Sequence, residues 1–285
     1  AQTLLAPDFT TGGSLLYNEQ TIRQIYDTGR GSFKVRGKYR YDKKNGYIEI
    51  YEIPYTTTAE AIIDKTVELI KSGKIREITD LRDETDLNGL KITLDVKRST
   101  DPDALMAKLY KLTPLEDSFS CNFNILDGNV PKVMGVREIL EKWTAFRKGC
   151  IIRKTKYDIN KLTHKLHLLE GLKKILLDID KAIAIIRNTE KDDDVVPNLM
   201  QGFDIDEIQA EYVADIKLRN LNKQYILNRL DDIEGINDEL DRLDELVKND
   251  KEVKKVIISE LKEISKKYGA DRRTEIVDDS ETVVY

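Results

Sequence analysis

The side chains best placed to do chemistry in this chain are cations, not nucleophiles. Lys34, Arg36, Lys38 and Arg40 alternate with Phe33, Val35, Gly37 and Tyr39. Successive side chains on a β-strand point to opposite faces, so one strand over residues 33–41 would have a cationic face and an apolar face. Arg30, Lys43 and Lys44 extend the positive surface. Like charges in such a row repel unless solvent or an anion relieves them. A phosphate backbone is the polyanion that fits, and each contact would add a salt-dependent increment of affinity. The same pattern also suits a solvated outer face that discourages edge-to-edge strand pairing.

Other constellations carry less chemistry. The acidic stretch from Asp80 to Asp86, with Arg82 inside it, lacks the pattern of a calcium loop and reads as a solvated loop. His164 and His167 lie one helical turn apart without an adjacent acidic ligand, so they are expected on a helix surface or seam rather than on a metal. Arg147, Lys148, Arg153, Lys154 and Lys156 form a second basic group, either a solvated helix face or a further phosphate contact. Cys121 and Cys150 have no metal or redox spacing, which points to a reducing compartment. No Ser, Cys or His arrangement suggests nucleophilic catalysis, and Gly12-Gly13 reads as a turn, not a phosphate cradle. These residues alone assign no catalytic group and no metal ligand, and describe a non-catalytic scaffold.

The elements that must position these residues divide the chain in two. Residues 1–135 read as a compact α+β domain with a largely antiparallel sheet and helices on one face. A helix near Asn18 to Asp27 stops at Gly29; Thr58 caps a second; Asp101-Pro102 opens a third. Asn45-Gly46 predicts a type I′ hairpin turn between strands 33–41 and 47–53, and Asp127-Gly128 predicts a last hairpin. From Val136 onward the period changes. Leu162, Leu166, Leu169, Leu172, Leu176, Ile179, Ile183 and Ile186 recur in threes and fours, answered by Ile226, Leu230, Ile233, Ile236, Leu240, Leu243 and Val247. A helix of roughly 50 residues reaches on the order of 75 Å, and two such helices bury their stripes only on each other.

The expected order is therefore an outgoing coiled-coil helix (136–188), a small helical tip (189–218), a return helix (219–268) and a polar linker (269–285). The tip carries Leu199, Met200, Phe203, Ile205, Ile208 and Tyr212, with a capping-box-like start at Asp204 and Glu207. That is more apolar surface than two helices need to close themselves, so it is either a small private core or a surface for a second copy.

Composition agrees with an elongated helical part. The chain is 285 residues, 35% charged and 7% aromatic, with a net charge of -5, which excludes a uniformly basic nucleic-acid binder and leaves room for local patches. No apolar run approaches a membrane span, and a cytoplasmic location is expected. The opening Ala1 in place of Met is expected of a fragment or a processed chain.

Several segments carry a family resemblance. Pro7-Asp8-Phe9-Thr10-Thr11-Gly12-Gly13, Tyr26-Asp27-Thr28-Gly29-Arg30-Gly31, Glu52-Ile53-Pro54-Tyr55, Ile78-Thr79-Asp80-Leu81-Arg82-Asp83-Glu84, His167-Leu168-Leu169-Glu170-Gly171-Leu172, Asp215-Ile216-Lys217-Leu218-Arg219-Asn220-Leu221 and Tyr268-Gly269-Ala270-Asp271-Arg272-Arg273-Thr274-Glu275-Ile276 resemble the A subunits of bacterial type IIA topoisomerases, DNA gyrase and topoisomerase IV. The resemblance runs in family order over nearly the whole chain.

It implies that residues 1–135 are the tower, which helps bend a duplex, with Arg30, Lys34, Arg36, Lys38 and Arg40 as its DNA contacts. The following helices would be the coiled-coil arm whose tip joins a second copy as a dimeric exit gate, through Leu199, Met200, Phe203, Ile205, Ile208 and Tyr212. It further implies ATP-dependent double-strand passage by the complete enzyme, with ATP and Mg²⁺ handled largely by a B subunit in an A2B2 assembly, double-stranded DNA as partner, and a bacterial, chromosome-associated location without a membrane.

The family's catalytic tyrosine follows an arginine in a winged-helix domain expected before Ala1, and a basic β-pinwheel domain is expected after Tyr285. Arg40-Tyr41 precedes Asp42 in the tower hairpin and is rejected as that pair; the chain alone is expected to be inactive. Thr56-Thr57-Thr58-Ala59 stands where the family places a basic residue, so no DNA contact is assigned there. Two other readings remain: a coiled-coil scaffold that spaces two partners, and an RNA-associated α+β domain.

Overall fold

The computed structural model describes residues 3–281, and the chain divides into two compact units. One unit joins residues 1–143 to 269–285; the other spans 144–268 and is thus an insertion between two sequence-distant parts of the first. The α+β architecture expected from the sequence is observed.

In the first unit the order is β1 (Ser14–Tyr17), α1 (Glu19–Thr28), β2 (Arg30–Arg36), β3 (Lys38–Asp42), β4 (Tyr47–Glu52), α2 (Ala59–Lys71), β5 (Ile78–Asp83), β6 (Ile92–Val96), α3 (Pro102–Leu112), β7 (Glu116–Asn122), β8 (Asn124–Asp127), β9 (Val130–Val133), the first turns of α4 (Val136–Leu177) and finally β10 (Glu275–Asp278). One four-stranded sheet runs β10-β1-β2-β7, a second runs β3-β4-β6-β5, and β8 and β9 form a separate hairpin. All pairings are antiparallel except β1 with β10.

Local chemistry explains the helices. The Asn18 side chain accepts the Thr21 amide at the start of α1, and Ile22, Ile25 and Tyr26 then fall on one buried stripe. Thr58 caps α2 and Asp101 caps α3, with Pro102 at a position that needs no amide proton. The second sheet closes its core with Ile48, Ile50, Ile92 and Leu94 against Ile62, Leu69, Leu105, Met106 and Leu109. The first sheet buries Leu15, Phe33, Val35 and Cys121 with Ile22 and Ile25 of α1.

Three expectations for this unit are corrected. The strand expected over 33–41 is divided at Gly37, and its halves belong to different sheets. The Gly37 amide donates to the Leu115 carbonyl at 2.8 Å, and a Cβ there would lie 2.6 Å from Leu115 Cδ1 and 2.7 Å from the Glu52 carbonyl oxygen. The chain crosses between sheets where only glycine fits. The β3–β4 turn is not type I′. Among the described non-glycine residues only Asn129 and Asp204 have positive φ, so Asn45 does not, and a four-residue loop closes through the Gly46 amide on the Asp42 carbonyl at 2.8 Å. The two-residue turn with both φ angles positive is instead Gly128-Asn129. Last, residues 269–285 are not merely a polar linker, because they supply β10 to the first sheet.

The second unit continues α4 and adds α5 (Ile179–Arg187), α6 (Val195–Phe203), α7 (Glu207–Ala214), α8 (Lys223–Lys248) and α9 (Asp250–Tyr268). The outgoing helix is interrupted at Asp178, whose non-helical backbone lets its carboxylate cap the Lys181 amide. The return helix is interrupted at Asn249. A core of Leu169, Leu172, Ile175, Leu176, Leu199, Ile205, Ala210, Val213, Ile233 and Ile236 fills the helical end, and a smaller cluster of Ile151, Val253 and Ile257 joins α4 to α9. The Asp204 cap expected for the tip is corrected. Asp204 is the left-handed end of α6, and Asp206 with Gln209 forms the capping box of α7.

Candidate functional site

The five cations expected to meet phosphate do not form one free face. The Glu116 carboxylate binds both Lys34 (3.3 Å) and Arg36. Lys38 lies 3.0 Å from Glu275 and 3.7 Å from Glu52. Burial alone would lower its pKa, but Glu275 and Glu52 hold its ammonium above the ordinary lysine range. Arg40 pairs with Glu49 at 3.2 Å and its guanidinium sits 4.3 Å over the Tyr51 ring. Arg36 lies 5.0 Å over Tyr110. The expectation of a wholly cationic strand face is therefore corrected: β2 and β3 are separate, and carboxylates from β4, β7 and β10 partner their basic side chains.

What remains for an anion is smaller and specific. Arg30, Lys43 and Lys44 are exposed and have no ion-pair partner among the described residues. Lys34 and Arg40 are also largely exposed, at 59% and 64%, so their pairs are solvent-screened contacts worth about 0–1 kcal/mol and can be exchanged for phosphate. Arg36 and Lys38 are more enclosed and act as fasteners of the unit. Local sequence could not show Glu116 or Glu275, because each reaches the row from a strand distant in sequence.

Arg82 is held by Asp80 (2.7 Å), Glu84 (2.9 Å) and Asp95 (2.6 Å), and Asp80 and Asp83 lie on β5 rather than in a loop. Side-chain hydrogen bonds from Arg82 to Asp95, Glu84 and Asp80 push the guanidinium pKa up, which makes this a cation-centred clamp. Tyr41 stands on β3 opposite Ile48 and packs on the core of the second sheet, a poor position for a nucleophile.

At the helical end, the six apolar residues separate. Leu199 (0% exposed) and Ile205 (7%) belong to the core and cannot face a partner, which corrects their place in a surface set. Ile208 is 55% exposed, while Met200, Phe203 and Tyr212 are half-buried. Lys181 caps the Phe203 ring at 4.8 Å. His167 is fixed by α7: its Nε2 meets the Asp206 carboxylate, and the Gln209 amide donates to its carbonyl at 2.7 Å. The spacing Asp206-x-x-Gln209 was the signal for that cap, two residues beyond the expected one. Of the second basic group, Arg147 pairs with Glu260 at 2.6 Å and Lys148 with Asp250 at 2.8 Å, so both serve the α4–α9 seam.

A family model described as the DNA gyrase/topoisomerase IV A subunit matches residues 1–262. The chain belongs to the family of DNA gyrase and topoisomerase IV A subunits. It is 36% identical over 278 residues to the DNA gyrase A subunit of Staphylococcus aureus, covering 95% of this chain and 31% of that protein. It is 35% identical over 269 residues to the DNA topoisomerase 4 A subunit of Rickettsia bellii, covering 92% and 36%. A probable chloroplastic/mitochondrial DNA gyrase A subunit of Oryza sativa subsp. japonica is 34% identical over 284 residues, covering 98% and 30%. The chain thus spans about a third of the length of these relatives.

In this gyrase/topoisomerase IV family member, the segments that carry the resemblance sit where distant parts of the chain meet. Thr274 accepts the Phe9 amide at 2.9 Å and donates to the Gly12 carbonyl at 3.0 Å, while the Asp8 carboxylate accepts the Thr274 amide at 2.8 Å. Arg272 donates to the Ala6 and Pro7 carbonyls. Glu52 accepts the Gly13 amide at 2.8 Å. In the second unit Gly171 lies directly against Gln209.

Proposed function

We propose that this chain is the duplex-supporting and subunit-joining part of a type IIA DNA topoisomerase A subunit. The observation that carries the reading is the match to A subunits of DNA gyrase and DNA topoisomerase 4 over 92–98% of the chain. In this reading the first unit supports and bends a DNA duplex, with Arg30, Lys34, Arg40, Lys43 and Lys44 as the phosphate contacts and Arg36 and Lys38 holding the strands that present them. The helical unit meets a second copy through Ile208 and the half-buried Met200, Phe203 and Tyr212, as a gate for a transported duplex.

The complete enzyme would change DNA topology by ATP-dependent double-strand passage, in the bacterial cytoplasm, together with a B subunit. We assign the strand-cutting tyrosine to a part of the A subunit other than this chain, and nucleotide and Mg²⁺ to the B subunit. The Gly12 amide is spent on the Phe9 carbonyl and the Gly13 amide on Glu52, so this turn does not suit a nucleotide phosphate. Among the described residues no group of three or more His, Cys, Asp or Glu could hold a metal.

The test is binding of the 285-residue chain to a fluorescein-labelled DNA duplex and to a structured RNA hairpin, followed by anisotropy over a salt series. The reading expects duplex preference, loss of binding with salt, and a weaker, flatter response for Lys34→Glu/Arg40→Glu. RNA preference, or duplex binding indifferent to both substitutions, would contradict it. So would covalent capture of DNA by the chain alone.

A further inference from the structure

The two long elements of the helical unit differ in charge. From Thr144 to Leu177, α4 carries nine basic and two acidic residues. The return helix α8 carries four basic and eight acidic residues. Ion pairs do not cancel this difference. Lys154, Lys161 and Lys165 are exposed and have no ion-pair partner among the described residues, and the same holds for Asp231, Glu234 and Asp238 on α8. The lysines are spaced by seven and four residues. At 3.6 residues per turn that places Lys161 and Lys165 within about 20° of Lys154, on one line along the helix. Their line flanks the buried stripe of Ile151, Thr155 and Leu169. Asp158 is the one carboxylate between them.

We infer that the Lys154–Lys161–Lys165 line is a second duplex-DNA contact surface, separate from the cations of the first unit. The inference rests on the proposed function and deepens it by giving the helical unit a direction: its outgoing helix attracts a duplex, and the α8 part of its return repels one, whereas α9 carries six basic and four acidic residues. Charge complementarity is the reason for choosing DNA. Three aligned, exposed lysines without ion-pair partners among the described residues keep a local positive potential that a polyanion can replace solvent and counterions in meeting. The contact reads backbone charge and carries no sequence preference.

The test compares the 285-residue chain with three variants, using anisotropy of a fluorescein-labelled duplex across a salt series. In Lys154→Gln/Lys161→Gln/Lys165→Gln, affinity falls on the order of tenfold or more at low salt, and the slope of log K on log salt flattens by about 0.9 for each phosphate no longer neutralised. In Asp158→Asn, affinity rises, a gain that loss of folding cannot mimic. In Lys71→Gln/Lys74→Gln/Lys111→Gln, which removes the same charge from the first unit, the slope stays within about 0.9 of wild type.

Wild-type binding by the α4 variant, or an equal loss in the Lys71 control, overturns this inference and leaves the proposed function standing. Failure of the wild-type chain to bind duplex at any salt overturns both. A further outcome is unchanged duplex binding with a salt-sensitive mass in light scattering; it would assign the line to the acidic helix of a second copy and also overturn the inference.

Discussion

Gly171 shows how a single residue is fixed by competing effects. Glycine within a helix costs about 1 kcal/mol relative to alanine. Here a Cβ would lie 2.7 Å from Gln209 Cβ and 2.9 Å from its Cγ, and Gln209 is held by His167 and Asp206. Overpacking of that kind costs about 1–3 kcal/mol, so Gly171→Ala is expected to lose about 1 kcal/mol net in urea unfolding, against the helix-propensity trend. Asp8 gives a pH-dependent case. Burial tends to raise its pKa, but the Thr274 and Arg273 amides and Arg272 outweigh it, and the carboxyl titrates below the usual range. Its contribution is therefore complete above the unfolded-state pKa and is lost as pH falls through the lower folded value. Asp8→Asn is expected to reduce the thermal midpoint at neutral pH and to flatten its decline as pH falls below about 4. Neither role was legible in sequence, where Gly171 and Asp8 stood only within segments of the family resemblance. Each depends on an atom supplied from elsewhere: Gln209 is 38 positions away and Thr274 is 266.

At the scale of elements, caps and periodicity were the readable part. Asn18, Thr58 and Asp101 start helices where expected because the signal and its target lie within three residues. The break at Gly37 was not readable, because alternation continues through it and only Leu115 and Glu52 reveal the crossing. For the same reason the basic row looked freer than it is. β10 was missed because four residues in parallel pairing with β1 carry no local signature across an insertion of that length. Thr274, only 1% exposed, anchors it. Thr274→Val keeps the shape and removes the hydroxyl, leaving the Gly12 carbonyl without that donor and weakening the hold on the Phe9 amide. A loss of about 1–3 kcal/mol is expected, with faster hydrogen exchange in both β1 and β10. Unchanged exchange in β1 would show that the strand adds little to the sheet.

For the whole molecule, the family relation was legible because its motifs are spread in order along nearly the entire chain; the change from strand alternation to helical period marks the start of α4 at Val136, eight residues before the inserted unit begins at Thr144. The six apolar residues expected to join a second copy were not separable by sequence into core and surface. Leu199 and Ile205 have the same apolar character as Ile208, and sequence cannot separate a private core from a shared surface. The structure separates buried Leu199 and Ile205 from exposed Ile208, and it defines a clean substitution: Ile208 can be changed without opening the core around Leu199. The deciding measurement is the solution mass of the chain by light scattering over a range of concentrations. A species approaching twice 32.8 kDa as concentration rises, reverting to 32.8 kDa in Ile208→Glu, is the result expected of a subunit-joining helical unit. A strict monomer throughout, or a dimer indifferent to Ile208→Glu, would contradict it.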